Sequence, residues 1–242
     1  MTIEDFFEHL LEESDKILPN KTDQVWYRGH QDSSYRLIPT IHRNDLVNET
    51  GLFYDYKAHV AAINGCSKDD WDIVLDMQHY GLPTRLLDWT TSIGTALYFA
   101  LKGNPTSPCI WLLNPYALSG ESTDNAIIYD TTRLSNGSNS YSTDYDIADI
   151  IMGRTELELP FAIQPPHGNR RIAAQRGRFT VHTLTNASIE ELCPSVVKKV
   201  EVPEQLIERL KRYLNMLGID DYNLFPDQYG LSEYLKKQYI EL

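Results

Sequence analysis

The sequence has few cysteines and no long hydrophobic run. Its three cysteines, Cys66, Cys109 and Cys193, are far apart and lack CxxC or Cys/His spacing, so we expect reduced thiols and no bound metal. No apolar stretch approaches the roughly 20 residues that a membrane-spanning helix requires. The acidic N-terminus lacks the basic and apolar regions of a signal peptide. We therefore expect a cytoplasmic protein that has no membrane partner.

Basic residues are also scarce. The 242 residues include 22 lysines and arginines against 34 aspartates and glutamates, which gives a formal net charge of -12. Stable binding to a nucleic-acid backbone requires a basic face. One tight basic cluster exists, formed by Arg170, Arg171, Arg176 and Arg178. The charge balance disfavours nucleic acid as a partner, so a nucleic-acid-acting protein that uses this cluster ranks third among the functions we consider.

Patterns typical of helices and of strands are interspersed along the chain. Apolar periodicity predicts helices at 3–16, 52–64, 68–80, 92–102, 147–153 and from 203 onward. Strands are predicted at 24–27, 85–89, 109–113, 161–164, 173–182 and 196–202. Segment 119–144, rich in Ser, Thr, Asn and Asp, is predicted to be an irregular excursion or lid.

These elements predict the α+β class, with a mixed or antiparallel central sheet flanked by helices. The sequence contains no internal repeat and no clear linker. We expect one domain over 1–242. The N-terminal helix within 1–23 and a helical pair within 203–242 are expected to pack on its core.

Polar side chains crowd the segment between the predicted helices 68–80 and 92–102. They are His79, Thr84, Arg85, Asp88, Thr90, Thr91 and Ser92. On a strand, Asp88 would point to the face opposite Arg85, toward the core, where it would need a partner. Candidate partners are Arg28, Arg36 and Arg85. For Arg85 and Asp88, an ion pair that fixes the strand explains the pattern as well as chemistry does.

Thr90 and Ser92 stand where the predicted strand gives way to a helix. Their hydroxyls suit N-capping of that helix, and a helix N-terminus also suits a phosphate. His79, in the last turn of a predicted helix, is either a general base or ligand contact or a histidine favoured there by the helix dipole. His30, His42 and His167 are isolated and lack metal-ligand spacing.

Arg28 follows an apolar run and precedes Gly29. An arginine at a strand end can hold a phosphate or carboxylate, although an ordinary salt bridge is the alternative. Gly29 lets a ligand or another backbone approach closely. Glu156 and Glu158 form the one ExE motif, which is either a catalytic carboxylate pair or an exposed acidic turn.

Three segments together resemble the FRG domain family, which is named for its (Phe/Tyr)-Arg-Gly motif. They are WYRG at 26–29, HYGLPTRLLDWT at 79–90 and ALYFA at 96–100. The segments 175–179 and 224–227 also resemble this family, so the similarity extends over nearly the whole chain. The family resemblance by itself assigns no reaction.

The order of elements is also similar to that of ADP-ribosyltransferases of the arginine–serine–glutamate type. Arg28, the 90–92 segment and Gln175 occupy the places of the three motifs. The similarity implies that Arg28 contacts an NAD phosphate or ribose and that Thr90 and Ser92 shape a nicotinamide pocket. It also implies that Gln175 stands where a glutamate would stabilise the ribosyl oxocarbenium ion.

Gln175 departs from that pattern because an amide cannot supply the negative charge that stabilises a cationic transition state. Either Asp88, Glu156 or Glu158 takes that role, or the reaction is not ADP-ribosyl transfer. Tyr80, Trp89 or Tyr98 could stack on a nicotinamide or adenine ring, although such aromatics are more often part of a core.

Two main hypotheses follow. The first is an NAD-consuming enzyme, an ADP-ribosyltransferase or NAD glycohydrolase acting as a toxin or antiviral effector, with NAD as substrate, no tightly bound cofactor and a protein target as acceptor. The second is a non-catalytic module that binds a nucleotide or another phosphorylated ligand. The predicted catalytic residues are Arg28, His79, Asp88 and Gln175. The predicted ligand-binding residues are Gly29, Tyr80, Arg85, Trp89, Thr90 and Ser92.

Overall fold

The computed structural model describes residues 1–18, 20, 23–43, 47–135, 145–166 and 168–240. Their strands are β1 Trp26–His30, β2 Leu86–Thr90, β3 Cys109–Leu113, β4 Tyr129–Asp130, β5 Phe161–Gln164, β6 Gly177–Val181 and β7 Val197–Glu201. They form one sheet in the order β4-β5-β6-β2-β1-β3-β7. Neighbouring strands are antiparallel, except for the parallel pair β4 and β5. The mixed sheet confirms the predicted α+β class.

Helices cover the sheet on both faces. The longer ones are α1 Ile3–Ile17, α2 Glu49–Asn64, α3 Asp70–His79, α4 Ile93–Leu101, α5 Pro115–Thr123, α10 Ile207–Met216 and α12 Gln228–Tyr239. The shorter ones are α6 Thr131–Ser135, α7 Ile147–Ile151, α8 Arg170–Ala174, α9 Ile189–Leu192 and α11 Asp221–Leu224. None of these described helices has the length and apolar character of a membrane span.

The N-terminal helix forms as its sequence predicts. The Thr2 hydroxyl accepts from the Asp5 amide, and the Asp5 carboxylate accepts from the Thr2 amide, so two free amide groups of the first turn are satisfied. Phe6 and Leu10 are buried and pack in one cluster with residues of α4 and α10, including Leu210. Burial of this apolar face holds α1 and α10 on the same side of the sheet.

The prediction of an irregular excursion at 119–144 is wrong for its first part. Asn114 accepts from the amides of Tyr116 and Ala117 and so caps α5, which Pro115 begins. Ser119 is buried, and its hydroxyl accepts from the Ala162 amide of β5. Polar composition gives the wrong prediction here because polar side chains such as Ser119 bond to backbone groups inside the fold. Residues 136–144 of the predicted lid, and His167, lie outside the described residues.

The predicted strand 173–182 begins later than expected. The Asn169 side chain accepts from the amides of Arg171 and Ile172 and starts the short helix α8. Gln175 is the C-cap of that helix, and Arg176 adopts the left-handed conformation with φ 48° before β6 begins. Gln175 therefore precedes the strand instead of lying on its face.

Gly29 brings β1 and α4 into backbone contact. A Cβ atom at Gly29 would lie 1.9 Å from the Ala96 carbonyl oxygen and 2.7 Å from the Ala100 nitrogen. Arg28 and Gly29 lie within β1 and not at its end. Of the two explanations for this glycine, the structure shows the close approach of another backbone.

We predict that Gly29→Ala lowers the free energy of unfolding by about 3 kcal/mol, because α4 must move away from β1 to admit the methyl group. Urea denaturation measures this. Gly168→Ala is the matched control, since a Cβ there would meet nothing within 4 Å. Equal stability of the two variants would contradict the packing argument.

Half-buried His42 and buried His182 face each other, with ring centroids 5.9 Å apart. His182 is fully buried. Burial, with His42 and the Arg85 guanidinium nearby, lowers the pKa of His182 to about 3. Burial also lowers the pKa of His42 to about 4, with Arg85 as the second cause. Both imidazoles therefore stay neutral at physiological pH.

We predict a loss of stability in acid. Both folded-state pKa values lie below the ordinary histidine value of about 6.5. The two histidines therefore contribute fully to the free energy of unfolding above pH 6.5, and this contribution is lost as the pH falls toward 4. In His182→Gln, the decrease in unfolding free energy between pH 7.5 and 4.5 should shrink by about 2 kcal/mol. His59→Gln, on the exposed side of α2, is the control. An unchanged pH dependence in His182→Gln would contradict the assignment.

Candidate functional site

A cleft of about 350 Å³ opens between β1, β2, α4, α8 and the loop after β1, and we call it the main cleft. A smaller cavity of about 40 Å³, the side pocket, adjoins it. Asp88, Trp89, Arg171 and Gln175 line both cavities. The main cleft has the size of a small-molecule site, at the lower end of the usual range.

Arg28 lies at the centre of the main cleft, on β1. Its Nε donates to His30 Nε2 at 3.0 Å, and its Nη1 donates to the Asp88 carbonyl oxygen at 2.6 Å. Nη1 also lies 3.6 Å from the Asp88 carboxylate. Of the three candidate partners for Asp88, the structure shows Arg28. Burial lowers the pKa of Arg28, with the Asp88 charge acting against that shift.

His30 fixes the orientation of Arg28. A guanidinium can only donate, so His30 Nε2 accepts and the imidazole proton lies on Nδ1, which donates to the Tyr35 carbonyl oxygen at 3.2 Å. Burial, and then the Arg28 charge, lowers the pKa of His30 to about 3, which keeps the ring neutral. The spacing of Arg28 and His30, two residues apart on one strand face, was the signal that could have found this pair.

Asp88 faces the cleft and not the core, so the prediction of a core-facing carboxylate is wrong. Its side chain is 58% exposed. Helix α3 covers Leu86 on the same face of β2 but leaves Asp88 open. Gln78 Nε2 donates to Asp88 Oδ2 at 2.9 Å, and Gln78 Oε1 accepts from the Thr84 hydroxyl at 2.5 Å. Among the described residues, Asp88 is the one carboxylate that lines the main cleft.

Two further arginines line the main cleft. Arg43 donates from Nε and Nη2 to the Ile38 carbonyl oxygen, at 3.0 and 2.9 Å. Arg171 donates to the His79 carbonyl oxygen at 3.3 Å, and its guanidinium lies 4.7 Å from the centre of the Phe225 ring. No sequence pattern singles out Arg43, and Arg171 stood out only as part of a basic cluster.

Gln175, which directly follows α8, lines both cavities. Its Nε2 donates to the Leu224 carbonyl oxygen at 3.0 Å, and its own carbonyl accepts from the Thr90 hydroxyl at 2.6 Å. His79 lines the side pocket, where burial and then the Arg171 charge lower its pKa. Both residues therefore line the side pocket together with Asp88.

The hydroxyls of Thr90 and Ser92 form hydrogen bonds with backbone groups. The Ser92 hydroxyl accepts from the Thr95 amide at 3.2 Å and caps α4, as its position predicts. The Thr90 hydroxyl accepts from the Ser92 amide at 3.0 Å. Thr90 also lines the main cleft, together with Gly29, whereas Ser92 is absent from the described lining of either cavity.

Arg85 and Tyr80 lie away from both cavities. Arg85 is buried, forms a bidentate pair with Glu49 at 2.9 and 2.5 Å, and donates to the carbonyl oxygens of His182 and Thr183. This arrangement matches the ion-pair explanation of Arg85. Tyr80 is 71% exposed and contacts the His79 ring.

The remaining candidate carboxylates and aromatics are also separated from the cleft. Glu156 and Glu158 are exposed in the loop before β5 and line neither cavity. Tyr98 points to the other side of α4, where its hydroxyl donates to Asp221 at 2.5 Å. Trp89 borders both cavities but is 3% exposed, and its indole donates to the Thr180 hydroxyl.

The cleft has a positive charge in an acidic chain. Arg28, Arg43 and Arg171 meet one carboxylate among the described lining residues, although the whole chain has a formal net charge of -12. Within the described ranges, neither Arg43 nor Arg171 forms an ion pair. The geometry therefore suits a ligand that carries negative charge.

Comparison with known proteins identifies one family. The FRG domain family model matches residues 23–108, a range that includes Arg28, Arg43, His79 and Asp88. Arg171, Gln175 and the resembling segments 175–179 and 224–227 lie outside the matched range. No curated protein and no solved structure matches the chain. The motif around Arg28 and Gly29 lies within this match, so the chain contains an FRG domain over residues 23–108.

Proposed function

We propose that the main cleft binds a nucleotide-type, phosphorylated small molecule. The observation that carries the proposal is the group of three cleft arginines, each oriented by hydrogen bonds to uncharged acceptors. A phosphate accepts charge-assisted hydrogen bonds from guanidinium groups, often two at a time. Such bonds contribute about 1.5–3 kcal/mol each, which is enough to give useful affinity to a small ligand.

The apolar part of the cleft favours a nucleotide over a bare inorganic anion. Tyr27, Tyr35 and Phe99 line the cleft together with the arginines, and Tyr35 is 55% exposed. Planar aromatic rings can stack on a base, and this stacking tolerates different bases. A ligand with both a phosphate and a base would use both kinds of lining residue.

Calorimetry with ADP-ribose, AMP, adenosine and inorganic phosphate tests the proposal. We expect the phosphorylated nucleosides to bind at least about tenfold more tightly than adenosine, with affinity that falls as salt is added. Arg28→Ala should weaken this binding, because it leaves the Asp88 charge in the cleft without its partner. Arg154→Ala, whose side chain pairs with Asp149 at the surface, is the control. Absence of binding by every phosphorylated ligand would refute the proposal.

We also propose, as a second candidate, that the protein cleaves NAD. The specific observation is the Asp88 carboxylate, which is exposed in the cleft beside Arg28. In this reaction the bond between ribose C1′ and nicotinamide breaks, and the electron pair leaves with nicotinamide. Asp88 would stabilise the oxocarbenium ion. Water or a nucleophile on a protein target then adds to C1′ and releases a proton.

Asp88 takes this role in preference to the alternatives. Gln175 carries no charge, and Glu156 and Glu158 lie outside the cavities. His79 lines the side pocket together with Asp88, and its lowered pKa favours the neutral form, which would accept the proton of the attacking group. Depletion of NAD by this reaction would suit a toxin or antiviral effector.

Incubation with NAD, alone and with cell lysate, tests the second candidate through the release of nicotinamide. Asp88→Asn should lower the rate at least about 100-fold, since oxocarbenium stabilisation is lost. Glu158→Gln should leave the rate unchanged, because Glu158 is remote from the cleft. If the wild-type protein releases no nicotinamide under either condition, the enzyme hypothesis is refuted and the binding function stands separately.

A further inference from the structure

We propose that Arg43 and Arg171 form the anion clamp of the main cleft, whereas Arg28, the arginine that the family motif emphasises, mainly positions Asp88. This inference rests on the proposed function, because it names the residues that hold the phosphate part of the ligand. It identifies that part as a diphosphate, whose two phosphate groups can each meet one arginine.

Most of the hydrogen-bond donors of Arg28 are already used within the protein. A guanidinium has five N–H groups. The Nε–H of Arg28 is donated to His30, and Nη1 is engaged by the carbonyl oxygen of Asp88 and lies 3.6 Å from its carboxylate. The second Nη1 hydrogen is close to the Asp88 carboxylate, so the Nη2 group is the main donor left for a ligand, and the Arg28 side chain is 19% exposed. An anion placed there would also be repelled by the Asp88 carboxylate.

Arg43 and Arg171 have more donors that no described carboxylate approaches. Arg43 uses Nε and one Nη2 hydrogen on the Ile38 carbonyl oxygen, so Nη1 remains. Arg171 uses Nη1 on the His79 carbonyl oxygen, so Nε and Nη2 remain. Both line the main cleft, and within the described residues no carboxylate pairs with either. Their charges are therefore available to a ligand.

Neutral contacts hold both arginines in place. Arg43 bonds to the Ile38 carbonyl through two nitrogens, and Arg171 stacks on Phe225 while it bonds to the end of α3. Each side chain is thus oriented before a ligand arrives, which lowers the entropic cost of binding. A structural role alone would not need guanidinium groups that keep free donors toward a cavity.

The charge of the cleft defines the ligand class. Three arginines and one aspartate line it, so the described lining carries a charge of about three minus one, or +2. Arg43 belongs to the main cleft alone, whereas Arg171 is shared with the side pocket. Two arginines contributed by different walls suit the two phosphate groups of a diphosphate better than a single phosphate.

The experiment measures the affinity of the full chain for ADP and for AMP at low and moderate salt. We expect ADP to bind more tightly than AMP in the wild-type protein. Arg43→Gln and Arg171→Gln should each weaken ADP binding about tenfold or more, reduce its salt dependence and narrow the difference between ADP and AMP. Arg171→Lys, which keeps the charge but not the planar fork, should recover part of the loss.

Arg170→Gln is the matched control for Arg171, since Arg170 is its exposed neighbour on α8 and lines neither cavity. Arg212→Gln, on the exposed face of α10, controls for net charge. Thermal unfolding checks that each variant is folded. If wild type binds ADP and the two clamp variants keep its affinity and salt dependence, the clamp is refuted while the proposed function survives. If wild type binds no nucleotide, both are refuted.

Discussion

The backbone contact between β1 and α4 at Gly29 is the constraint on which the rest of the site depends. The Ala96 carbonyl oxygen occupies the space that a side chain at position 29 would need, so α4 lies directly against the strand. This approach places Phe99 and Ala96 of α4 beside Arg28 of β1 and creates one wall of the main cleft. Gly29 therefore allows the cleft to assemble, and Arg28 beside it lines the interior of that cleft.

The placement of charged side chains makes the cleft suitable for an anion. A neutral His30 and the backbone of Asp88 hold Arg28, and Gln78 holds the Asp88 carboxylate from the other side. The Asp88 carboxylate is 58% exposed, and Arg28 keeps its charge because a guanidinium is not deprotonated in a protein. Arg43 and Arg171 add positive charge that no described carboxylate offsets. An acidic protein can in this way present one local site for an anion.

Much of the fold follows from local sequence signals, and the site follows from them only in part. The capping box at Thr2, the apolar run of β3 and the cap at Ser92 are local, and the corresponding elements lie close to where the sequence predicts them. Strand alternation predicts the wrong environment for Asp88. It shows which side chains share a face of the strand, but not which part of that face a helix covers. The sequence does not predict Arg43 as a site residue, since its position in the cleft depends on the path of the loop after β1. The alternating pattern predicts a strand at Gln175, whereas the Asn169 cap starts α8 and leaves Gln175 at the end of that helix.

A crystal structure of the protein with bound ADP-ribose tests the central claim most directly. The account predicts that the diphosphate lies within hydrogen-bond distance of Arg43 and Arg171, and that the Arg28 bonds to His30 and Asp88 stay intact. It also predicts a ribose near the Asp88 carboxylate. A diphosphate held by Arg28 with its contact to Asp88 broken, or a nucleotide bound outside the main cleft, would contradict it.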